Sequence, residues 1–167
     1  SNGATAGTVG RGLQLEAIKI NVKSDADIGV IYTTHVKNDG WHGNSFNGEQ
    51  SGTTGQNKHV EALMLKLTGK DADKYDIYYR VHAQNYGWLA WAKNGEAAGT
   101  SGYAYRLEAI QIVVTAKGDM APTVFYGGYT SNNAKAIYQK TSTVPIINTN
   151  ASVRYQSHVS NIGWQSA

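Results

Sequence analysis

The feature that most constrains this chain is an internal repeat, whose period has to be found before any other pattern is interpreted. Residues 79–114 carry, in fixed order, a tyrosine, a histidine three residues later, Gly-Trp, Asn-Gly-Glu, Gly-Thr-x-Gly and Leu-Glu-Ala-Ile. Residues 32–63 carry nearly the same order of motifs. Because so long an order does not recur by chance, the two stretches are copies of one structural unit.

A third copy is divided between the two ends of the chain. Residues 7–18 contain the Gly-Thr-x-Gly and Leu-Glu-Ala-Ile motifs, while Tyr155, His158 and Trp164 supply the first half of the unit. We therefore expect the ends to meet and three units to close into a pseudo-threefold ring, which would leave no exposed strand edges. The predicted single domain, 1–167, comprises unit 1 (153–167 plus 1–22), unit 2 (28–67), unit 3 (75–114) and an insertion (115–152).

Each unit is predicted to fold as β-strands. Residues 13–22, 59–67 and 105–114 are rich in aliphatic side chains with polar residues interspersed, and the glycine motifs between strands supply turn chemistry. No segment has a sustained apolar period of 3.6 residues, so helix is minor. Both prolines fall in the insertion, which we expect to be a packed hairpin or docked loop. The predicted fold is all-β and β-prism-like, with a β-trefoil as the alternative.

Composition excludes several classes of function. The net charge is only +3, and the basic residues are scattered, so a nucleic-acid interface is not expected. The absence of cysteine excludes disulfides and thiolate metal sites. There is no apolar run of membrane-spanning length, no Gly-x-Ser-x-Gly elbow and no phosphate loop. We therefore expect neither an enzyme nor a cofactor. The chain opens on Ser1 without methionine, so we also expect a processed, excised or tagged product.

The repeated histidine and glutamate have a structural and a functional interpretation. The glutamate lies in line with the apolar positions of its strand, so its carboxylate has to be hydrogen-bonded, either to loop N–H groups or to hydroxyls of a ligand. We favour loop N–H groups. Each histidine is expected to pair with the glutamate of its own unit, and no metal is predicted. The polar segments 23–27 and 70–74 are predicted to be turns rather than calcium sites.

The tryptophans indicate where a ligand could bind. Trp41, Trp88 and Trp164 recur in every unit, so core packing is their expected role, whereas Trp91 has Asn44 as its counterpart in unit 2. A tryptophan that the repeat does not require is a candidate for a ligand surface, although it could also pack on a neighbouring loop. The predicted ligand-binding residues are Trp91, Tyr86, Asn94, Glu96, Tyr103, His82 and Trp88.

The combination of Tyr-x-x-His, Gly-Trp, Asn-Gly, Gly-Thr-x-Gly and Leu-Glu-Ala-Ile resembles the ChW repeat family, the clostridial hydrophobic repeats with a central tryptophan. The resemblance covers everything except the insertion. It implies an extracellular protein of a Gram-positive bacterium or its phage, and a non-catalytic binding module of the kind that accompanies wall hydrolases, adhesins and secreted enzymes.

Two functions are compatible with these observations. The preferred one is lectin-like recognition of a cell-wall or other extracellular polysaccharide, in which an aromatic ring stacks on a sugar and polar groups bind its hydroxyls. The alternative is an extracellular protein-interaction or assembly module that uses the insertion and one face of the prism.

Overall fold

The computed structural model describes residues 2–122 and 135–140, together with the backbone of 156–159 and 163–166. Fourteen strands and one short 3-10 helix, Ala72–Lys74, form the regular structure of these residues. The strands are β1 Thr5–Gly7, β2 Ala17–Lys19, β3 Gly29–Val36, β4 Gly40–Trp41, β5 Ser45–Phe46, β6 Gln50–Gly52, β7 Val60–Thr68, β8 Tyr75–Ala83, β9 Gly87–Trp88, β10 Ala92–Lys93, β11 Ala98–Gly99, β12 Leu107–Ala116, β13 Gln156–Val159 and β14 Gly163–Ser166. The all-β prediction is confirmed. Within the described part, no helix is long and apolar enough to cross a membrane.

Units 2 and 3 each build an antiparallel sheet of the same design. In unit 2, β3 lies between β7 and the short strands β4 and β5. In unit 3, β8 lies between β12 and the short strands β9 and β10. The registers agree, because His35 faces Ala62 and His82 faces Ala109. The expected long strand 13–22 is shorter in the structure: only β2 is regular, and among the described strands it pairs with β6 alone.

Short Gly-Thr strands join each unit to another unit. We call these three contacts the seams: β1 pairs with β12, β6 with β2, and β11 with β7. At each seam a threonine amide donates to the carbonyl oxygen of the repeated glutamate. The bonds are Thr8 to Glu108, 2.9 Å, Thr53 to Glu16, 2.9 Å, and Thr100 to Glu61, 2.6 Å. The seams therefore run from unit 1 to unit 3, from unit 2 to unit 1 and from unit 3 to unit 2.

The inward faces of these strands form the main core. Alternate residues of β3, β7, β8 and β12 point inward, as strand geometry requires. Tyr32, Leu63, Leu65, Tyr79 and Val81 are fully buried in this one cluster, and Ile18 and Ile20 of unit 1 pack against it. None of the described sheets closes on itself; two have five strands and two have two.

The repeated glutamate lies in a β-bulge rather than in regular alternation. The pairing of β8 with β12 shifts between Leu107 and Ala109, so Glu108 is the extra residue, and the pairing of β3 with β7 shifts in the same way beside Glu61. The extra residue of a bulge has no partner on the neighbouring strand, and its side chain departs from the alternation of the strand. The regular alternation predicted for the glutamate is therefore wrong, since the bulge aims its carboxylate at the histidine and loops.

Part of the insertion docks on the third seam. The amide of Gly99 donates to the carbonyl of Ala136 at 2.9 Å, and the amide of Tyr138 donates to the carbonyl of Gly99 at 2.9 Å. Residues 135–140 thus form the docked segment that was expected. Phe125, Tyr126, Tyr129 and the apolar stretch 144–147 lie outside the described residues.

A seam glycine should not tolerate a side chain. Gly99 has φ +135°, and a Cβ there would lie 2.3 Å from the Glu61 carbonyl oxygen. We expect Gly99→Ala to lower the free energy of unfolding by about 3 kcal/mol, because it combines backbone strain with a clash against main chain. Gly43→Ala, where a Cβ meets nothing within 4 Å, is the control. Similar urea midpoints for the two variants would contradict the account.

Candidate functional site

The histidines and glutamates of units 2 and 3 form own-unit pairs, as predicted. Nδ1 of His35 lies 3.1 Å from Oε2 of Glu61, and Nδ1 of His82 lies 3.1 Å from Oε2 of Glu108. The Gly102 amide also donates to Oε2 of Glu61 at 2.8 Å. The carboxylate therefore holds a loop and a histidine inside the protein. The side chain of His158, the third member, lies outside the described residues.

His82 and Trp88 belong to this framework. Their rings meet edge to face with centroids 5.6 Å apart, and His35 and Trp41 repeat the arrangement at 5.4 Å. Trp88 is only 5% exposed. In the described residues no cluster of three or more potential metal ligands exists. A ligand-binding role for these two residues stays a prediction.

Asn94 and Glu96 stabilise the turn in which they lie. Oδ1 of Asn94 accepts from the Ile77 amide at 2.9 Å, and Oε2 of Glu96 accepts from the Lys93 amide at 2.9 Å. The Tyr79 hydroxyl donates to the carbonyl of Glu96. Unit 2 makes the same bonds through Asn47, Glu49 and Tyr32. Most polar atoms of this turn thus already have partners inside the protein, and a ligand role for Asn94 and Glu96 remains a prediction.

Trp91 packs on a buried cation that the sequence analysis missed. The Arg80 guanidinium carbon lies 4.8 Å from the ring centroid of Trp91 and 4.8 Å from that of Trp88. Arg80 is 1% exposed, and its Nε donates to Oε1 of Gln111 at 2.7 Å. Burial lowers the pKa of Arg80. Trp91 therefore covers a buried charge in unit 3, and a ligand-binding role for it stays a prediction.

This arrangement is specific to unit 3, and a signal for it was present in the sequence. The counterparts of Arg80, Gln111 and Trp91 in unit 2 are Thr33, Met64 and Asn44. All three positions therefore differ between the units. Unit 3 has a cation, its hydrogen-bond partner and the aromatic ring that covers it, and unit 2 has none of these three residue types there.

Tyr86 and Tyr103 belong to a cluster of four tyrosines. The tyrosine cluster consists of Tyr86, Tyr103, Tyr105 and Tyr138. Ring centroids lie 4.5 Å apart for Tyr86 and Tyr138, 6.0 Å for Tyr86 and Tyr105, and 5.9 Å for Tyr103 and Tyr105. All four side chains are half-buried. The structure thus brings together two of the seven predicted ligand residues and adds two more.

Two lysines lie at the margin of the tyrosine cluster. Nζ of Lys140 is 5.5 Å from the ring centroid of Tyr103, and Nζ of Lys135 is 6.0 Å from that of Tyr138. Both lysines are exposed and come from the docked segment of the insertion. The cluster therefore presents aromatic surface together with two cationic donors.

Unit 2 has an ion pair where unit 3 has the aromatic rings. The counterparts of Tyr86, Tyr103 and Tyr105 are Asp39, Gln56 and Lys58. Nζ of Lys58 lies 2.8 Å from Oδ1 of Asp39. A solvated ion pair contributes little to stability, so the exchange for tyrosines is not needed by the repeat. The tyrosine cluster is consequently the clearest departure of unit 3 from its framework on the surface.

Comparison with known proteins gives the family. The sequence model of the family described as clostridial hydrophobic W, or ChW, matches residues 1–24, 35–69 and 82–116, which is more than half of the chain. The chain belongs to the ChW family. No curated protein and no solved structure matches it. The three matched segments agree with three ChW copies, and Tyr155, His158 and Trp164 lie outside them.

The Trp91–Arg80 contact can be measured with a double-mutant cycle. We expect Trp91→Ala to lower the free energy of unfolding. In an Arg80→Met background the same substitution should lower it by about 1 kcal/mol less, because the cation–π contact is already absent. Asn44→Ala, at the equivalent position of unit 2, should change the unfolding free energy little. A coupling energy of zero in urea titrations would show that Trp91 does not stabilise the cation.

His59 is a buried histidine that only unit 2 possesses. Its Nε2 lies 3.7 Å from Oε1 of Glu61. Unit 1 has Gln14 at this position, and its Nε2 donates to Oε1 of Glu16 at 2.8 Å. Burial lowers the pKa of His59; Glu61 acts in the opposite direction, and two nearby cations, Lys37 and Arg106, lower it further. The neutral imidazole is therefore the form that the folded state favours.

Acid should destabilise the protein through His59. The pKa of His59 is lower in the folded state than in the unfolded state. The contribution of the neutral imidazole to the free energy of unfolding is therefore fully present above the ordinary histidine pKa, about 6.5, and is lost as the pH falls below that value. We expect His59→Gln, which copies Gln14, to reduce the loss of stability between pH 7 and pH 5. His42→Gln, at a more exposed histidine, is the control. Equal slopes for wild type and His59→Gln would refute this assignment.

Proposed function

We propose that the protein is a non-catalytic, lectin-like module that binds an extracellular or cell-wall glycan at the tyrosine cluster. The observation that carries the proposal is the replacement of a surface ion pair in unit 2 by half-buried aromatic rings in unit 3. Since unit 2 folds with the ion pair, the fold does not require the tyrosine rings of unit 3. Binding of a ligand is the simplest explanation for their presence.

The chemistry of the cluster suits a saccharide. Tyrosine rings offer flat apolar faces for the C–H surface of a sugar, and their hydroxyls donate and accept hydrogen bonds. Lys135 and Lys140 add ammonium donors at the margin, which favours glycans that carry phosphate or carboxylate groups. Such a site orients its ligand with a few polar groups rather than enclosing it.

The seven predicted ligand residues have different roles in this proposal. Tyr86 and Tyr103 form the site with Tyr105 and Tyr138. Trp91 adds aromatic surface beyond its contact with Arg80. The remaining four are His82, Trp88, Asn94 and Glu96, and they position the loops of unit 3.

The proposed architecture is a closed pseudo-threefold arrangement of three sheets, β-prism-like rather than β-trefoil. Its support is the order of the seams, which link unit 1 to unit 3, unit 2 to unit 1 and unit 3 to unit 2. A trefoil would combine hairpins into one barrel, whereas the larger described sheets are separate and have five strands. The ChW resemblance supports an extracellular location, at the cell wall of a Gram-positive bacterium.

The proposal predicts selective loss of glycan binding. We expect Tyr103→Ala to weaken binding to purified, protein-free cell walls about fivefold, since one lost aromatic contact is worth about 1 kcal/mol. Gln56→Ala, the counterpart of Tyr103→Ala in unit 2, should leave binding unchanged. Far-ultraviolet circular dichroism of both variants is the check that each is folded.

The same experiment separates the lectin from the alternative. Retention on protein-free walls that soluble sugars abolish supports glycan recognition. Binding that is lost when wall proteins are removed would instead indicate the extracellular protein-interaction module, and equal retention of Tyr103→Ala and wild type would exclude the tyrosine cluster as the glycan site.

A further inference from the structure

A cavity of about 1060 Å³ lies between unit 1 and unit 3. Much of its lining consists of alternating apolar residues from two chain segments of different units, one continuing past β2 and the other in β12. They are Ile18, Ile20 and Val22 of unit 1, and Ile110, Ile112 and Val114 of unit 3. All of these are partly or fully buried members of the main core. An apolar space of this size beside a core is a place where chain is expected to pack.

In the other two units the equivalent space is filled by a strand. Met64 of β7 faces Thr33 of β3, and Gln111 of β12 has Arg80 of β8 on one side and Thr5 of β1 on the other. Lys19 of β2 is the counterpart of Met64 and Gln111. Among the described strands it faces only Gln50 of β6. One side of β2 therefore lacks the Tyr-x-x-His strand that its counterparts have.

The C-terminal hairpin has the geometry of the missing strand. In β13 and β14, His158 faces Trp164 and Val159 faces Gly163. His35 faces Trp41 in unit 2 and His82 faces Trp88 in unit 3. The register of the hairpin thus equals that of β3 with β4 and of β8 with β9.

The rest of unit 1 is already assembled around the cavity. Oδ1 of Asn2 accepts from the Val114 amide at 2.8 Å, just as Oδ1 of Asn47 in unit 2 accepts from the Val22 amide at 3.3 Å. The amide of Gly3 donates to the carbonyl of Ile112 at 2.7 Å, just as Gly48 donates to Ile20 at 2.7 Å. The Asn-Gly turn is therefore in place at the amino terminus, while no strand of the described residues fills the second side of β2.

We propose that the hairpin 156–166 of the same chain docks against β2 and covers this cavity. The register copied from units 2 and 3 places His158 opposite Ala17 and Gln156 opposite Lys19. Residues 141–155 connect the docked segment 135–140 to the hairpin; at about 3.3 Å per residue they can extend to roughly 50 Å, enough to cross a domain of this size. The inference rests on the proposed threefold arrangement and is independent of glycan binding.

Cysteine cross-linking tests this placement, because the chain has no cysteine of its own. The variant Lys19→Cys/Gln156→Cys places two thiols opposite each other on the outer face of the proposed pair. Lys19→Cys/Ser157→Cys moves one thiol by one residue and hence to the other face. Lys19→Cys/Gln50→Cys tests the observed pairing on the other side of β2.

We expect the 19–156 pair to oxidise to a monomeric disulfide at least fivefold faster than the 19–157 pair, and to unfold at a higher temperature oxidised than reduced. Disulfide-linked dimers would show that the hairpin docks on a second copy, and equal rates for the two pairs would refute the register. If only the 19–50 pair forms, the seam between units 1 and 2 stands and the hairpin proposal falls.

Discussion

The structure depends on the contact between each Gly-Thr strand and the repeated glutamate of another unit. At Gly7, Gly52 and Gly99 a Cβ would lie 2.3–2.4 Å from the carbonyl oxygen of that glutamate, so the two main chains approach as closely as only glycine permits. The following threonine donates its amide to the same carbonyl oxygen. One contact therefore explains why two distant motifs recur together: each motif is half of a seam between units.

The residues that recur in every unit hold the fold, and the residues that differ in unit 3 form the candidate site. The histidine–glutamate pairs, the Asn-Gly-Glu turns and the tyrosine that holds each turn make equivalent bonds in units 2 and 3. What unit 3 adds is a buried Arg80 between two indole rings and a surface cluster of tyrosines that also uses Tyr138 of the insertion. Because the repeated residues make the bonds that hold the fold, the proposed recognition site is placed at positions where one unit departs from the others.

Much of the fold could be predicted from the sequence, but less of the site. Motif order predicted three units, strands and own-unit pairs such as His82 with Glu108. The bulge at the glutamate was missed, since an extra residue changes the side-chain phase without any special residue type. The contact of Trp91 with Arg80 was missed because it depends on which outer-face residues lie opposite one another. Tyr138 was missed because the docking of residues 135–140 depends on main-chain hydrogen bonds. Tyr105 was missed because its ring meets Tyr86 and Tyr103 only in the folded chain.

Native-state hydrogen exchange of three threonine amides tests the central claim most directly. Thr8, Thr53 and Thr100 each donate to a glutamate carbonyl at a seam, so the cyclic account predicts that all three exchange slowly, by openings close to global unfolding. The result that would contradict it is protection of Thr53 and Thr100 with Thr8 exchanging as fast as an exposed loop amide. The contact between unit 1 and unit 3 would then be open in solution, and the three units would form a linear array.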